Sequence, residues 1–117
     1  MNSDIAIQAL AALAQEHRLA IFRLLVKHGA EGLPAGEISA RIAISPTSAS
    51  FHLKELDRAG LIEARRDGRY IRYAFNARVM RSLLTFLTED CCQGRPELCG
   101  ELFNVSECAA KKELADG

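Results

Sequence analysis

The 117-residue chain has no excess of either charge, no long apolar run and no low-complexity tract. Each lack removes a class of protein. With 15 Lys/Arg against 15 Asp/Glu the formal net charge is zero, so overall charge gives no reason to expect nucleic acid, and only a local pattern can make that case. No run of 18 apolar residues exists, so no helix is expected to span a membrane. The opening residues, MNSDIAIQAL, have neither a basic leading segment nor a cleavage pattern and do not read as a secretion signal. The chain is therefore expected in the cytoplasm, where thiols stay reduced. No internal repeat is visible. There is also no glycine-rich anion loop of the kind a thiol enzyme acting on an oxyanion would need, so no enzyme is expected.

What is present is one domain's worth of chain. Its composition, 49% hydrophobic and 26% charged, is ordinary and sufficient for a modest core. The charge is unevenly placed. Residues 34–75 carry seven Lys/Arg and five Asp/Glu, whereas residues 88–117 carry three and seven. A mildly basic body thus bears an acidic tail.

Residues 5–14, IAIQALAALA, are alanine-rich, which favours helix, and apolar nearly all round, which favours burial. Ile5, Ala9, Ala12 and Leu13 form one stripe, and a second copy of the helix can supply its cover. A second helix is expected over 16–29, with Leu19, Phe22, Leu25 and Val26 inward and Gly29 at its end. Residues 32–34 read as a loop, and 35–43 as a short third helix with Ile38 and Ile42 inward.

The next helix starts at Ser45-Pro46, a hydroxyl cap followed by a proline suited to a first turn. Ala49, Leu53, Leu56 and Gly60 share its inner face, and Gly60 stops it. Thr47, Ser50, Phe51, Lys54 and Arg58 fall opposite. The period then changes from 3.6 to 2: LIEARR, DG and RYIRYAF read as a hairpin with a two-residue Asp67-Gly68 turn. Arg65, Arg66, Arg69 and Arg72 cluster about its tip. A last helix is expected over 77–90, with Val79, Leu83, Phe86 and Leu87 as its stripe.

A short helix, a tight turn, a second helix with small polar residues outward and then a basic hairpin make a winged helix-turn-helix. An α-helix fits the DNA major groove. Ser45, Thr47, Ser48 and Ser50 offer compact hydrogen-bonding groups there, and Lys54 with the four hairpin arginines can neutralise phosphates. Each feature also has a plainer reading. The hydroxyls are equally suited to a solvated face, and the arginines to a soluble tip. An outward Phe51 needs a partner, either a thymine methyl or a neighbouring loop. His52, near the edge of the inner face, reads as a hydrogen-bonded structural residue rather than a metal ligand.

The run TSASFHLKELDRAGLIEARRDGRYIRYAF, together with ALAQEHRLAIFRLL upstream, resembles the core of the ArsR/SmtB family of metal-sensing winged-helix repressors, over residues 5 to about 90. The resemblance implies a domain of residues 1–90 for DNA binding and dimerisation, followed by a sensor segment of residues 91–117. It implies a homodimer through residues 5–14 and 79–90, a twofold-symmetric double-stranded operator, and release when a sensor site fills. One family site uses a cysteine pair at the start of the third helix, where residues 34–39 have none. Another uses Asp and His on the last helix, where residues 77–90 have no histidine. Cys91, Cys92 and Cys99 remain.

Three thiolates suit a soft ion. Trivalent arsenic or antimony takes three sulfurs in a pyramid, and arsenic-responsive members with C-terminal cysteines carry a similar group. Cadmium, lead, zinc and copper(I) are rivals, as is oxidation or persulfidation of the same thiols. Cys108 is either a bystander or a fourth sulfur for zinc or cadmium.

Overall fold

The computed structural model describes residues 1–89. Residues Met1–Leu83 form one compact unit, and a second unit begins at Leu84, of which residues 84–89 are described. Cys91, Cys92, Cys99 and Cys108 lie outside the described residues.

Two helices open the fold. Helix α1 (Ser3–Leu13) starts where the Asn2 side chain accepts a hydrogen bond from the Ile5 amide at 2.9 Å. Helix α2 (Glu16–His28) starts in the same way at Gln15, which accepts from the Arg18 amide at 2.9 Å. Both caps satisfy amides that have no partner inside a helix. A 3-10 turn (Gly29–Glu31) leads into strand β1 (Leu33–Pro34), helix α3 (Ala35–Ile42) and helix α4 (Pro46–Arg58). Strands β2 (Ile62–Asp67) and β3 (Tyr70–Phe75) form the hairpin, and helix α5 (Ala77–Thr88) ends the described chain. The Asn76 side chain caps α5 by accepting from the Val79 amide at 3.2 Å.

The core lies where α2, α3, α4 and the root of the hairpin meet. Ile21, Leu25, Ile38, Leu53, Leu56, Leu61 and Ile62 are fully buried, each contributing about 1.5–3 kcal/mol of hydrophobic stabilisation. Phe22 meets Phe75 edge-on at 6.4 Å. The junction between α4 and the hairpin is fixed by main-chain bonds: the Leu61 amide donates to the Leu56 carbonyl and the Asn76 amide to that of Leu61. The mainly helical winged helix-turn-helix expected from the sequence is the fold observed.

Several expectations are corrected in detail. Residues 33–34 form a third strand rather than a loop. The sheet order is β1-β3-β2, all antiparallel, with Leu33 opposite Tyr73 and Pro34 opposite Arg72. Two residues carry no readable alternation, so only the tertiary pairing reveals the strand. Gly32 makes it possible: φ is +68, and a Cβ there would overlap the Tyr73 carbonyl.

The hairpin loop is Gly68-Arg69, not Asp67-Gly68, because Asp67 still pairs with Tyr70. Gly68 has φ +65 and Arg69 stays out of the positive region, which is the type II′ pattern with glycine first.

Inward faces also differ. Helix α1 buries Ala6, Ala9 and Ala12 and exposes Ile5, Ile7 and Leu10. Helix α2 buries Ile21, Phe22 and Leu25 and exposes Leu19 and Val26. Small side chains let α1 approach its own chain closely, which leaves the large ones outside.

Candidate nucleic-acid interface

Helices α3 and α4 are joined by three residues. Ala43 adopts the left-handed conformation, φ 65 and ψ 47, and the Ala43 and Ile44 amides both donate to the Ser39 carbonyl at 2.9 and 3.1 Å. This double bond set ends α3 and turns the chain sharply into α4. Ser45 then caps α4, its Oγ accepting from the Ser48 amide at 3.1 Å, with Pro46 in the first turn. A proline costs little there, because the amide it lacks would have had no helical partner.

The two faces of α4 are sharply divided. Ala49, His52, Leu53 and Leu56 are buried. Ser45, Thr47, Ser50, Phe51 and Lys54 are exposed, and Ser48 is half-buried. The sequence assignment of α4 therefore holds residue by residue, Gly60 apart, which is half-buried beyond the helix end. Phe51 is 56% exposed, so among the described residues no loop covers it; its one aromatic neighbour among them is His52, edge-on at 5.4 Å.

The structure separates the four hairpin arginines into two pairs. Arg65 and Arg72 are directly opposite each other, an arrangement that is repulsive by itself. Both are turned to the 3-10 turn and the residue after it. Arg65 donates to the Ala30 carbonyl at 2.7 Å, and Arg72 donates to those of Glu31 and Gly32 at 3.1 and 3.2 Å. Glu63 lies 3.6 Å from Arg65 and Asp67 3.9 Å from Arg72. These two arginines hold the root of the wing.

Arg66 and Arg69 are exposed nearer the tip and make no ion pair or side-chain hydrogen bond among the described residues. They remain available to phosphates, as does Lys54. The sequence reading missed Tyr70, 67% exposed beside Arg69, since alternation alone could not show that this aromatic stands clear of the core.

A second feature is visible only in three dimensions. Arg18 on α2 donates through Nε to the Ala12 carbonyl at 2.7 Å and through Nη1 to His52 Nδ1 at 3.2 Å. His52 is thus the hydrogen-bonded structural histidine expected, and is 9% exposed. Burial, and then the nearby Arg18 and His17 charges, push its pKa below the usual histidine value, with Glu55 acting in the opposite sense. A neutral ring is what Arg18 requires as acceptor.

Among the described residues no group of three His, Cys, Asp or Glu is placed to hold a metal, and no helix is long and apolar enough to cross a membrane.

Residues 13–65 match a family described as a helix-turn-helix domain. The transcriptional activator HlyU of Vibrio cholerae is 32% identical over 92 residues, covering 79% of this chain and 82% of that protein. Its structure superposes with a TM-score of 0.60 at 34% identity, over 74% of this chain and 94% of that one. The homodimeric winged helix-turn-helix DNA-binding domain Mb0332 of Mycobacterium bovis, a possible ArsR-family transcriptional regulator, is similar at 31% identity, with a TM-score of 0.59 over 74% and 81% of the two chains. The "Putative arsenical resistance operon repressor ArsR" of Halobacterium salinarum is 36% identical over 73 residues, 62% of this chain and 54% of that protein. With a capped recognition helix, a wing and relatives of this kind along most of its length, the chain belongs to the ArsR/SmtB family of winged helix-turn-helix DNA-binding transcriptional regulators rather than to any class of enzyme.

Proposed function

We propose that the protein is a homodimeric, cytoplasmic repressor that holds a twofold-symmetric operator and releases it when trivalent arsenic, or antimony, binds Cys91, Cys92 and Cys99. The observation that carries this reading is the gathering of three of the four cysteines within residues 91–99, on a chain whose α4 presents a compact polar face with one exposed phenylalanine. Soft thiolates select soft ions, and a reducing compartment keeps them available. The name of the Halobacterium relative supports arsenic as the inducer.

The apolar side chains that α1 and α5 leave exposed support the dimer: Ile5, Ile7 and Leu10 on α1, and Leu84 and Leu87 on α5. Two recognition helices then address major-groove faces about one turn, roughly 34 Å, apart. Thr47, Ser48 and Ser50 offer hydrogen bonds to base edges and Phe51 offers contact to a thymine methyl. Lys54, Arg66 and Arg69 neutralise phosphates.

The inducer must bind the free dimer more tightly than the DNA-bound dimer, since equal affinity shifts nothing. Closing the three sulfurs behind the final helix supplies such a difference.

The test is a gel-shift titration with arsenite, cadmium and a thiol oxidant on the wild type and on Cys91→Ser, Cys92→Ser and Cys99→Ser. Release by arsenite in the wild type and its loss in all three variants is the expected result. Release by cadmium alone, or by oxidant alone, assigns the same thiols to a different signal. A promoter-reporter assay decides repression against activation, the role named for the Vibrio relative.

A further inference from the structure

Arg18 occupies a position that DNA contact does not explain. It is half-buried, it belongs to α2, and its guanidinium joins the end of α1 to the middle of α4. The Ala12 carbonyl it binds is one of the last of α1, where helical carbonyls lack partners. The His52 ring it binds packs edge-on against Phe51, the exposed aromatic of the recognition helix. A single side chain thus spans the three helices.

We propose that Arg18 is a positioning residue for DNA binding, tying the recognition helix to the end of α1 through His52, and that acidification opens this tie. The chemistry is that of one acceptor. A guanidinium has donors only, so the bond exists only while Nδ1 carries a lone pair and the ring proton sits on Nε2. A proton on Nδ1 removes the acceptor and sets two cations 3.2 Å apart.

The surrounding groups do not rescue the charged ring. From α2, His17 lies with its ring centroid 5.6 Å away and, like Arg18, opposes a positive charge on the ring. From α4, Glu55 favours the protonated form, but it is engaged by Arg58 at 3.2 Å. From α1, the cleft beside Arg18 is lined by Gln8, Ala11 and Ala12, none of them titratable. Burial already holds the ring neutral, so the bond is intact at neutral pH and opens below it. Opening releases the inner face of α4 one residue from Phe51, where a small displacement alters every contact of the helix with a groove.

The experiment uses the full chain and duplexes enriched by the wild type from a random 40-bp pool at pH 7.5. Affinity is read by fluorescence anisotropy from pH 5.5 to 8 at constant ionic strength, and the His52 ring is titrated by NMR in the same range. The wild type is expected to lose about five-fold or more in affinity on acidification, the lower end of usual coupling between sites, with the midpoint of the His52 titration. His52→Asn retains an acceptor near Nδ1 and cannot titrate, so it is expected to bind as the wild type at pH 7.5 and to show a flat profile. Arg18→Lys keeps the charge but not the two-armed reach, and is expected to bind more weakly at pH 7.5 with unchanged circular dichroism. His28→Gln, which alters the exposed His28–Arg41 contact, leaves the wild-type profile in place.

A His52→Asn profile that follows the wild type, or Arg18→Lys binding at wild-type strength, overturns the proposal. Failure of the pool to enrich would count against DNA reading by this chain. The tie is then judged by NMR alone: amides at Ala12–Ala14 and Phe51 that do not move with the His52 titration overturn it.

Discussion

Two pairs of arginines share one hairpin and have opposite occupations. Arg65 and Arg72 are spent on the main-chain carbonyls of residues 30–32, whereas Arg66 and Arg69 stand exposed with no partner among the described residues. Residue type and charge are the same for all four. What differs is position: Arg69 lies in the turn itself, and Arg66 follows Arg65 directly and so points to the opposite face of the sheet. Residues 65 and 72 are cross-strand partners on the side that the chain after α2 reaches, and its carbonyls accept them. A guanidinium beside unpaired carbonyls becomes structural, and one beside solvent is left for phosphate. Counting arginines in a wing therefore overestimates the phosphates it can hold.

This contrast can be broken in several ways. The strongest is to remove the acceptors by disturbing the turn that presents them. Gly32→Ala places a Cβ against the Tyr73 carbonyl at positive φ and is expected to cost more than about 2 kcal/mol, read as the shift of a urea midpoint.

Next come the arginines themselves. Arg65→Ala and Arg72→Ala are each expected to cost about 1 kcal/mol of stability. Arg66→Ala and Arg69→Ala should stay within about 0.5 kcal/mol of wild type while lowering the slope of log K against log salt by about 1 each. A reversed outcome, with stability falling at the tip and salt slope at the root, would erase the distinction.

A further test compares α4 with the wing by pH. The folded-state pKa of His52 lies below its unfolded value, so the unfolded chain takes up the proton first. Stability is then fully present above about pH 6.5 and declines as pH falls below that value; His52→Asn should lack this component of the decline in a urea titration. The smallest effect is at the turn between α3 and α4. Ala43→Gly relieves the left-handed strain at φ 65 and is expected to change stability by no more than about 1 kcal/mol, in the stabilising direction.

Much of helix α4 was legible in the sequence. The Ser45-Pro46 start and the stripe Ala49, Leu53 and Leu56 located α4 and its outer face, because cap chemistry and helical period are local. Other features were not local. Strand β1 is only two residues long, and its existence depends on Gly32 lying against Tyr73. Helix α1 turned its alanines inward, a choice decided by how closely helices approach rather than by hydrophobicity. The Arg18–His52 bond joins residues 34 apart in the chain, and no spacing rule reports it. The fates of Arg65 and Arg72 were hidden for the same reason, since their acceptors are backbone carbonyls without a sequence signature.

The central claim couples thiols to DNA, and its most direct measurement is an equilibrium titration of the operator-bound wild type with sodium arsenite, followed by fluorescence anisotropy under reducing conditions. The account predicts complete release at one arsenic per chain, and none with Cys91→Ser, Cys92→Ser or Cys99→Ser at the same concentration. Anisotropy that stays high when the wild type is saturated with arsenite, or that falls equally in the three variants, would contradict it.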